Sequence, residues 1–162
     1  MTSGIGVPGG YTVFCDDIRQ EVNGKLTLVG SYAGAMHILN GWPAKLTQLS
    51  ALVVVRFPNE SAGKTITVRI IRSTVGQDDE VLIEAEIVVP ENARDILARD
   101  RGPLIDAAEP TFSEFRFTPQ FPGIEFTAES RIKVRGYLDG EEFKIGSLIV
   151  REGPPPPPPL EG

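Results

Sequence analysis

The chain has 162 residues, 41% of them hydrophobic, and a formal net charge of −6 at pH 7. This length supplies the core of one domain and is short for two, and the hydrophobic fraction excludes wholesale disorder. The acidic balance excludes a general electrostatic attraction to nucleic acid or to an anionic membrane.

The single cysteine, Cys15, bears on the compartment. One thiol cannot form an internal disulfide, which is typical of a reducing environment. Residues 1–10 carry neither basic residues nor a sustained apolar run, so no secretory signal is predicted. The apolar run 51–55 is far shorter than the roughly 20 residues that cross a bilayer. We therefore expect a cytoplasmic protein with no membrane partner.

Alternating apolar residues predict strands that bury one face. Such patterns occupy 25–32, 66–70, 81–89 and 132–138. The segment 49–57 is apolar on both faces, which places it centrally in a sheet, and Pro58 is expected to end its pairing. Glycine and asparagine turns separate the segments. The fold class predicted is all-β, an antiparallel β-sandwich of immunoglobulin-like or C2-like type with about eight strands.

The predicted domain covers 11–152, between a flexible leader at 1–10 and a polyproline tail at 153–162. One short helix is predicted near 92–100, because apolar residues with helical spacing follow Pro90 there. The tail contains six consecutive prolines, which lack N–H donors and cannot join a sheet. We interpret it as polyproline II, serving either as a spacer or as a ligand for an aromatic-lined groove.

The first hairpin turns at 22–24. A two-residue loop would place charged residues opposite the apolar face, whereas a three-residue loop pairs Ile18 with Leu28. That register also pairs Phe14 with Tyr32. It predicts a positive φ at the last loop residue, Gly24, as in a bulged turn.

Charged residues line the polar side of this hairpin. Asp17, Arg19 and Glu21 alternate along the first strand, and Lys25 follows the turn. One interpretation is an ion-pair ladder that fixes the register, with Arg19 bridging both carboxylates. The other is a charged contact surface for a partner. The residue pattern leaves both open.

A second hairpin turns at 139–140, where Asp-Gly favours a two-residue type I′ turn. This loop pairs Gly136 with Phe143 and Val134 with Ile145. Both pairs place apolar groups opposite one another.

In that register a basic stripe points away from the apolar face. Arg131, Lys133 and Arg135 alternate along one strand, and Lys144 lies opposite Arg135. Like charges directly across a pair are destabilising. The stripe is either a solvated face or a site for an anion or an acidic partner.

Three motifs of the first hairpin carry a resemblance: CDDIR at 15–19, GKL at 24–26 and LVGSY at 28–32. Together they resemble the signature of an uncharacterised bacterial and phage-encoded family. That signature is an acidic-Asp-Ile/Val-Arg segment, a Gly-Lys turn and a Leu-x-Gly-x-Tyr strand. The resemblance implies a β-sandwich of bacterial or phage origin and implies no reaction.

Residue types that support catalysis are sparse. His37 is the single histidine, so it cannot build a histidine-based metal site. A Cys15–His37 dyad would need hydrogen-bond contact, which the pattern does not indicate. The acidic loops at 77–80 and 140–142 lack the spaced ligands of a dedicated calcium site. We predict no metal, no cofactor and no enzymatic activity.

The leading interpretation is a non-enzymatic binding or assembly module of bacterial or phage origin. Its expected partner is a protein rather than a nucleic acid, and a homo-oligomer is compatible with it. The candidate interaction residues are Asp17, Arg19, Glu21, Lys25, Arg131, Lys133, Arg135 and Lys144. Two alternatives stay open: a small-ligand-binding or enzymatic domain with a site near His37 and Trp42, and a phage structural or host-interaction protein.

Overall fold

The computed structural model describes residues 6–92, 112–155 and 157–159. No helix long and apolar enough to cross a membrane occurs among these residues. The short helix predicted near 92–100 falls on a segment that lies outside them. The described residues form twelve strands: β1 (Gly9–Gln20), β2 (Leu26–Ser31), β3 (Ala35–Ile38), β4 (Ala44–Lys45), β5 (Gln48–Pro58), β6 (Thr65–Thr74), β7 (Glu80–Val88), β8 (Phe112–Phe117), β9 (Gln120–Pro122), β10 (Glu125–Phe126), β11 (Ser130–Leu138) and β12 (Glu141–Glu152).

Two five-stranded sheets form an all-β sandwich, as predicted. The first sheet has the order β2-β1-β5-β8, with β9 also paired to β5, and the second has the order β3-β12-β11-β6-β7. All their pairings are antiparallel except β12–β3, which is parallel. A third sheet contains only the two-residue strands β4 and β10. Alternation detects long strands, which is why these short ones were not among the roughly eight expected.

The core lies between the inner faces of the two sheets. Val53 and Val55 from the first sheet and Val68, Ile132 and Val134 from the second have no exposed surface. Each buried aliphatic side chain contributes roughly 1.5–3 kcal/mol relative to exposure. The predicted central strand, β5, indeed lies inside its sheet and ends at Pro58.

One predicted strand differs at its start. The register of β6 with β7 shifts between Ile70 and Ile71, and after the shift Ile71 pairs with Val81. The inserted residue at this bulge reverses the facing of the chain before it. Val81, expected on the buried face, is therefore 51% exposed.

The first hairpin has the predicted register. Ile18 pairs with Leu28, and the Glu21 amide donates to the Lys25 carbonyl at 2.7 Å. Gly24 has a φ of 74°, as the three-residue loop required. The strand that precedes this loop begins at Gly9, before the predicted domain boundary at residue 11.

The second hairpin follows its predicted register only near the turn. Asp139 and Gly140 have φ values of 53° and 80°, as in a type I′ turn, and Gly136 pairs with Phe143. The predicted pairing of Val134 with Ile145 is wrong, because Val134 pairs with Gly146.

A bulge at Ile145 causes this shift, and the core explains it. Ile145, Leu148 and Val150 are all buried, yet their spacing cannot place them on one face of an uninterrupted strand. One extra residue restores the inward direction of Leu148 and Val150. At the bulge the backbone of β12 lies against β1, since a Cβ on Gly146 would come within 2.6 Å of the Thr12 Cβ.

Candidate functional site

The charged residues of the first hairpin are mostly engaged within the fold. The Asp17 carboxylate accepts hydrogen bonds from the Ile18 amide at 2.9 Å and from Gln48 Nε2 at 3.1 Å. It also pairs with Arg19 Nε at 3.3 Å. The predicted bridge from Arg19 to Glu21 is wrong, since no ion pair joins them in the part of the chain that the structure describes.

Three motif residues form a clasp across the hairpin, which we define as Asp16, Gly30 and Tyr32. The Tyr32 hydroxyl donates a hydrogen bond to Asp16 Oδ1. Gly30 has a φ of 65°, and a Cβ at this position would overlap the Asp16 carboxylate. Burial, followed by the hydrogen bond to Asp16, raises the pKa of the Tyr32 phenol above its usual range. The glycine and the tyrosine of the motif are therefore needed for local structure.

Cys15 lies beneath this clasp and is fully buried. Burial, and then the negative charges of Asp16 and Asp17, raise the pKa of its thiol. A raised pKa disfavours the reactive thiolate. The proposed partner, His37, lies on β3 in the second sheet, whereas Cys15 lies on β1 in the first. The hydrogen-bonded dyad considered from the sequence has no support in this arrangement.

A groove of about 830 Å³ lies beside the first hairpin. We call it the hairpin groove. Its lining brings two predicted contact residues, Glu21 and Lys25, close to Arg116 of β8, together with the apolar Leu26, Leu28, Leu52 and Phe117. Arg116 itself pairs with Glu114 at 3.3 Å. The groove thus combines an apolar lining with charges of both signs.

The basic stripe lies on the outer side of the second sheet, as predicted. Arg135 pairs in register with Lys144 of β12 on one side and with Arg69 of β6 on the other. Directly paired residues point to the same side of a sheet, so three cations lie in one row. We define the basic face as the outward cations of this sheet: Arg69, Arg131, Lys133, Arg135, Lys144 and Arg151.

Three cations of the basic face have acidic partners. Arg69 Nε lies 2.6 Å from Glu84 Oε2, and its guanidinium stacks 5.0 Å from the centre of the Tyr137 ring. Arg135 Nε lies 3.4 Å from Glu142 Oε1, and Arg135 also donates to the carbonyls of Val134 and Gly146. These contacts offset part of the repulsion within the row.

Lys133 is the third compensated cation, with Nζ 3.3 Å from Asp79 Oδ2. Proximity to the Ser73 hydroxyl and to the Lys133 ammonium lowers the pKa of the Asp79 carboxyl. Asp79 therefore stays ionised at neutral pH, and its charge cancels that of Lys133.

Arg131, Lys144 and Arg151 have no acidic partner among residues 6–92, 112–155 and 157–159. Arg131 pairs in register with Ile149, which is 36% exposed, and Arg151 lies two residues farther along the same strand. A cleft of about 330 Å³ is lined by Ser73, Glu129, Arg131 and Ile149 among others, so it also contains one carboxylate. Arg131 and Arg151 therefore flank an exposed aliphatic side chain, and Lys144 lies on the same face two cross-strand rows away.

Two residues of this face were missed in the sequence. Arg69 alternates with the buried Val68 and Ile70, so the sequence indicates that its side chain points outward. The sequence does not indicate that Arg69 pairs with Arg135 of β11. Arg151 would point inward if β12 alternated without interruption. The bulge at Ile145 turns it outward, next to His37 of β3.

The alternative site near His37 and Trp42 does not coincide with either of these two clefts. Neither residue lines the hairpin groove or the cleft beside Arg131. Trp42 packs against the core, and His37 Nδ1 is buried without a hydrogen-bond partner among the described residues. Within the same residues, no group of three or more His, Cys, Asp or Glu side chains is arranged to hold a metal ion.

A family model described as a family of unknown function, DUF6941, matches residues 10–151, which is most of the chain. No curated protein matches.

Proposed function

The chain belongs to DUF6941, a family of unknown function, and we propose that this member is a non-enzymatic binding or assembly module. Its contact surface is the basic face, and its partner is a protein that presents acidic residues. The role of the hairpin residues is then to stabilise the domain that carries this face.

One observation carries the proposal: on a chain of net charge −6, three cations without acidic partners among the described residues share one face, and two of them, Arg131 and Arg151, flank an exposed Ile149. Surface charges of one sign attract a partner of the opposite sign and orient its approach. The aliphatic side chain beside Arg131 and Arg151 adds apolar area that becomes buried on binding. The remaining cations of the face are already neutralised by Glu84, Glu142 and Asp79.

The same charges favour a protein over a nucleic acid. Nucleic-acid binding draws on many phosphate contacts, of the order of 6–10 in salt-sensitive complexes. The basic face offers three uncompensated cations and carries carboxylates within it. Those carboxylates would repel a phosphate backbone, whereas an acidic protein surface of limited extent can avoid them.

Origin and location belong to the same proposal. The resemblance of the first hairpin supports a bacterial or phage source, and the lone Cys15 supports a cytoplasmic location. A structural component of a phage and a host assembly factor would use such a face in the same way.

The test compares two double variants of equal charge change. Arg131→Glu with Lys144→Glu reverses the basic face, and Arg19→Glu with Lys25→Glu reverses the first hairpin. The probe is fluorescent poly-L-glutamate, titrated at low salt into each folded protein. We expect the face variant to weaken binding at least about tenfold and the hairpin variant less than about twofold.

Two results would overturn the proposal. Equal weakening by both variants would mean that only net charge matters. Tighter binding of the wild type to single-stranded oligothymidine than to poly-L-glutamate would assign the face to nucleic acid instead.

A further inference from the structure

The proline tail leaves the domain at the end of β12. The last backbone tie is a hydrogen bond from the Gly153 amide to the Ile38 carbonyl at 3.0 Å. Gly153 has a φ of 114°, which turns the chain away from the strand direction. The described prolines that follow, 154–155 and 157–159, are all exposed. These five described prolines therefore present their rings to solvent instead of covering the sandwich.

Proline chemistry makes this segment stiff before it meets a partner. Each ring fixes φ near −65°, and six residues in polyproline II extend over roughly 19 Å at about 3.1 Å each. A ligand that is already ordered loses little conformational entropy on binding. Proline-rich segments of this kind dock in grooves lined by aromatic side chains.

A charge adjoins the tail. Arg151 lies three residues before Pro154, is exposed, and has no acidic partner in the described part of the chain. A groove that accepts the prolines from this direction would meet the guanidinium at its rim. An acidic residue there would pair with Arg151 and fix the orientation of the tail.

We propose that residues 154–159 are a docking ligand for a partner domain with an aromatic-lined groove and an acidic rim. This goes beyond the proposed function, because the prolines lie outside the basic face and differ from it in chemistry. Arg151 is the residue that the two contacts share. A mere spacer would require only length and exposure, and would make no contact with such a groove.

The experiment uses the full chain and three isotope-labelled probes, an SH3, a WW and an EVH1 domain, each with acidic residues beside its groove. We expect chemical-shift changes confined to the groove of at least one probe. Replacing all six prolines by serine should weaken that binding at least about tenfold. Arg151→Glu should weaken it several-fold, and Arg131→Glu with Lys144→Glu should leave it unchanged.

Absence of groove shifts with all three probes would overturn the proposal, as would equal binding by the serine variant. The serine variant must retain the wild-type melting temperature, which checks that the domain is folded. It should also bind poly-L-glutamate like the wild type. That readout separates failure of the tail proposal from failure of the basic face.

Discussion

The first hairpin and the basic face are both rich in charge, but they use it in opposite ways. In the hairpin, Asp16 and Asp17 accept hydrogen bonds from neighbouring strands and from the motif tyrosine. On the basic face, Arg131 and Lys144 have no acidic partner in the described ranges. Polar groups that are satisfied internally stabilise the fold, whereas unsatisfied ones at a surface are available to a partner.

The motif residues of the first hairpin meet structural requirements. The Leu-x-Gly-x-Tyr motif places Gly30 and Tyr32 around Asp16, where each is required by local geometry. A signature of this kind can mark a structural requirement alone. Contact residues then have to be sought among charged side chains that lack a nearby partner of opposite charge.

Breaking the clasp should lower the stability of the domain more than any other change considered below. Gly30→Ala should lower the free energy of unfolding by about 2–3 kcal/mol. About 1 kcal/mol of this comes from a side chain at positive φ, and the rest from displacing Asp16 away from Tyr32. Urea unfolding followed by fluorescence measures the change.

Gly24→Ala is the matched control for that variant. Gly24 has a similar φ of 74°, but no atom lies within 4 Å of a Cβ placed there. It should lose only about 1 kcal/mol. Equal losses at the two glycines would show that the clasp adds nothing beyond backbone strain.

Removing the hydroxyl of the clasp should lower the stability of the domain by a smaller amount. Tyr32→Phe leaves Asp16 without its phenolic donor and should destabilise the domain by about 1 kcal/mol. The value is at the low end because Asp16 is exposed and water can replace the donor. Stability equal to that of the wild type would contradict a structural role.

The same variant has a defined pH dependence. The folded protein raises the pKa of Tyr32, so it holds the phenolic proton more tightly than the unfolded chain, which releases it near pH 10. Wild-type stability should therefore fall as the pH rises above about 10, because the unfolded state binds fewer protons there. Tyr32→Phe should lose less stability over this range, as measured by urea unfolding at pH 9 and pH 11.

The smallest change is expected in the binding of poly-L-glutamate by the basic face. Asp79→Asn removes the charge that compensates Lys133 and should tighten poly-L-glutamate binding by about twofold. Because the fold lowers the pKa of Asp79, its contribution to stability is present above about pH 4 and is lost as the pH falls through the folded-state value. The stability difference between wild type and variant should shrink as the pH falls below about 4. Weaker probe binding by Asp79→Asn would contradict the role of Lys133.

The sequence predicted those features that depend on neighbouring residues. The register of the first hairpin followed from turn chemistry and from the direction of apolar side chains, and Gly24 has the expected φ. The type I′ turn at 139–140 followed in the same way. Both registers are decided by residues that are close together in the chain, because a shift of one residue would bury charged side chains.

Features that depend on distant contacts were not predicted. The bulge at Ile145 arises because β12 must pack on β11 and pass close to Thr12 of β1. The pairing of Arg69 with Arg135 depends on the order of β6 and β11 in the sheet. Sheet order joins residues far apart in the chain, and local alternation carries no information about it.

The left-handed backbone at Gly30 has a consequence for self-association. β2 ends the first sheet as its outermost described strand, and an edge of this kind invites strand addition from another molecule. A residue with positive φ one position before the end of β2 interrupts the straight row of donors and acceptors that an incoming strand would need. Strand addition along this edge is therefore disfavoured where β2 ends, next to the clasp.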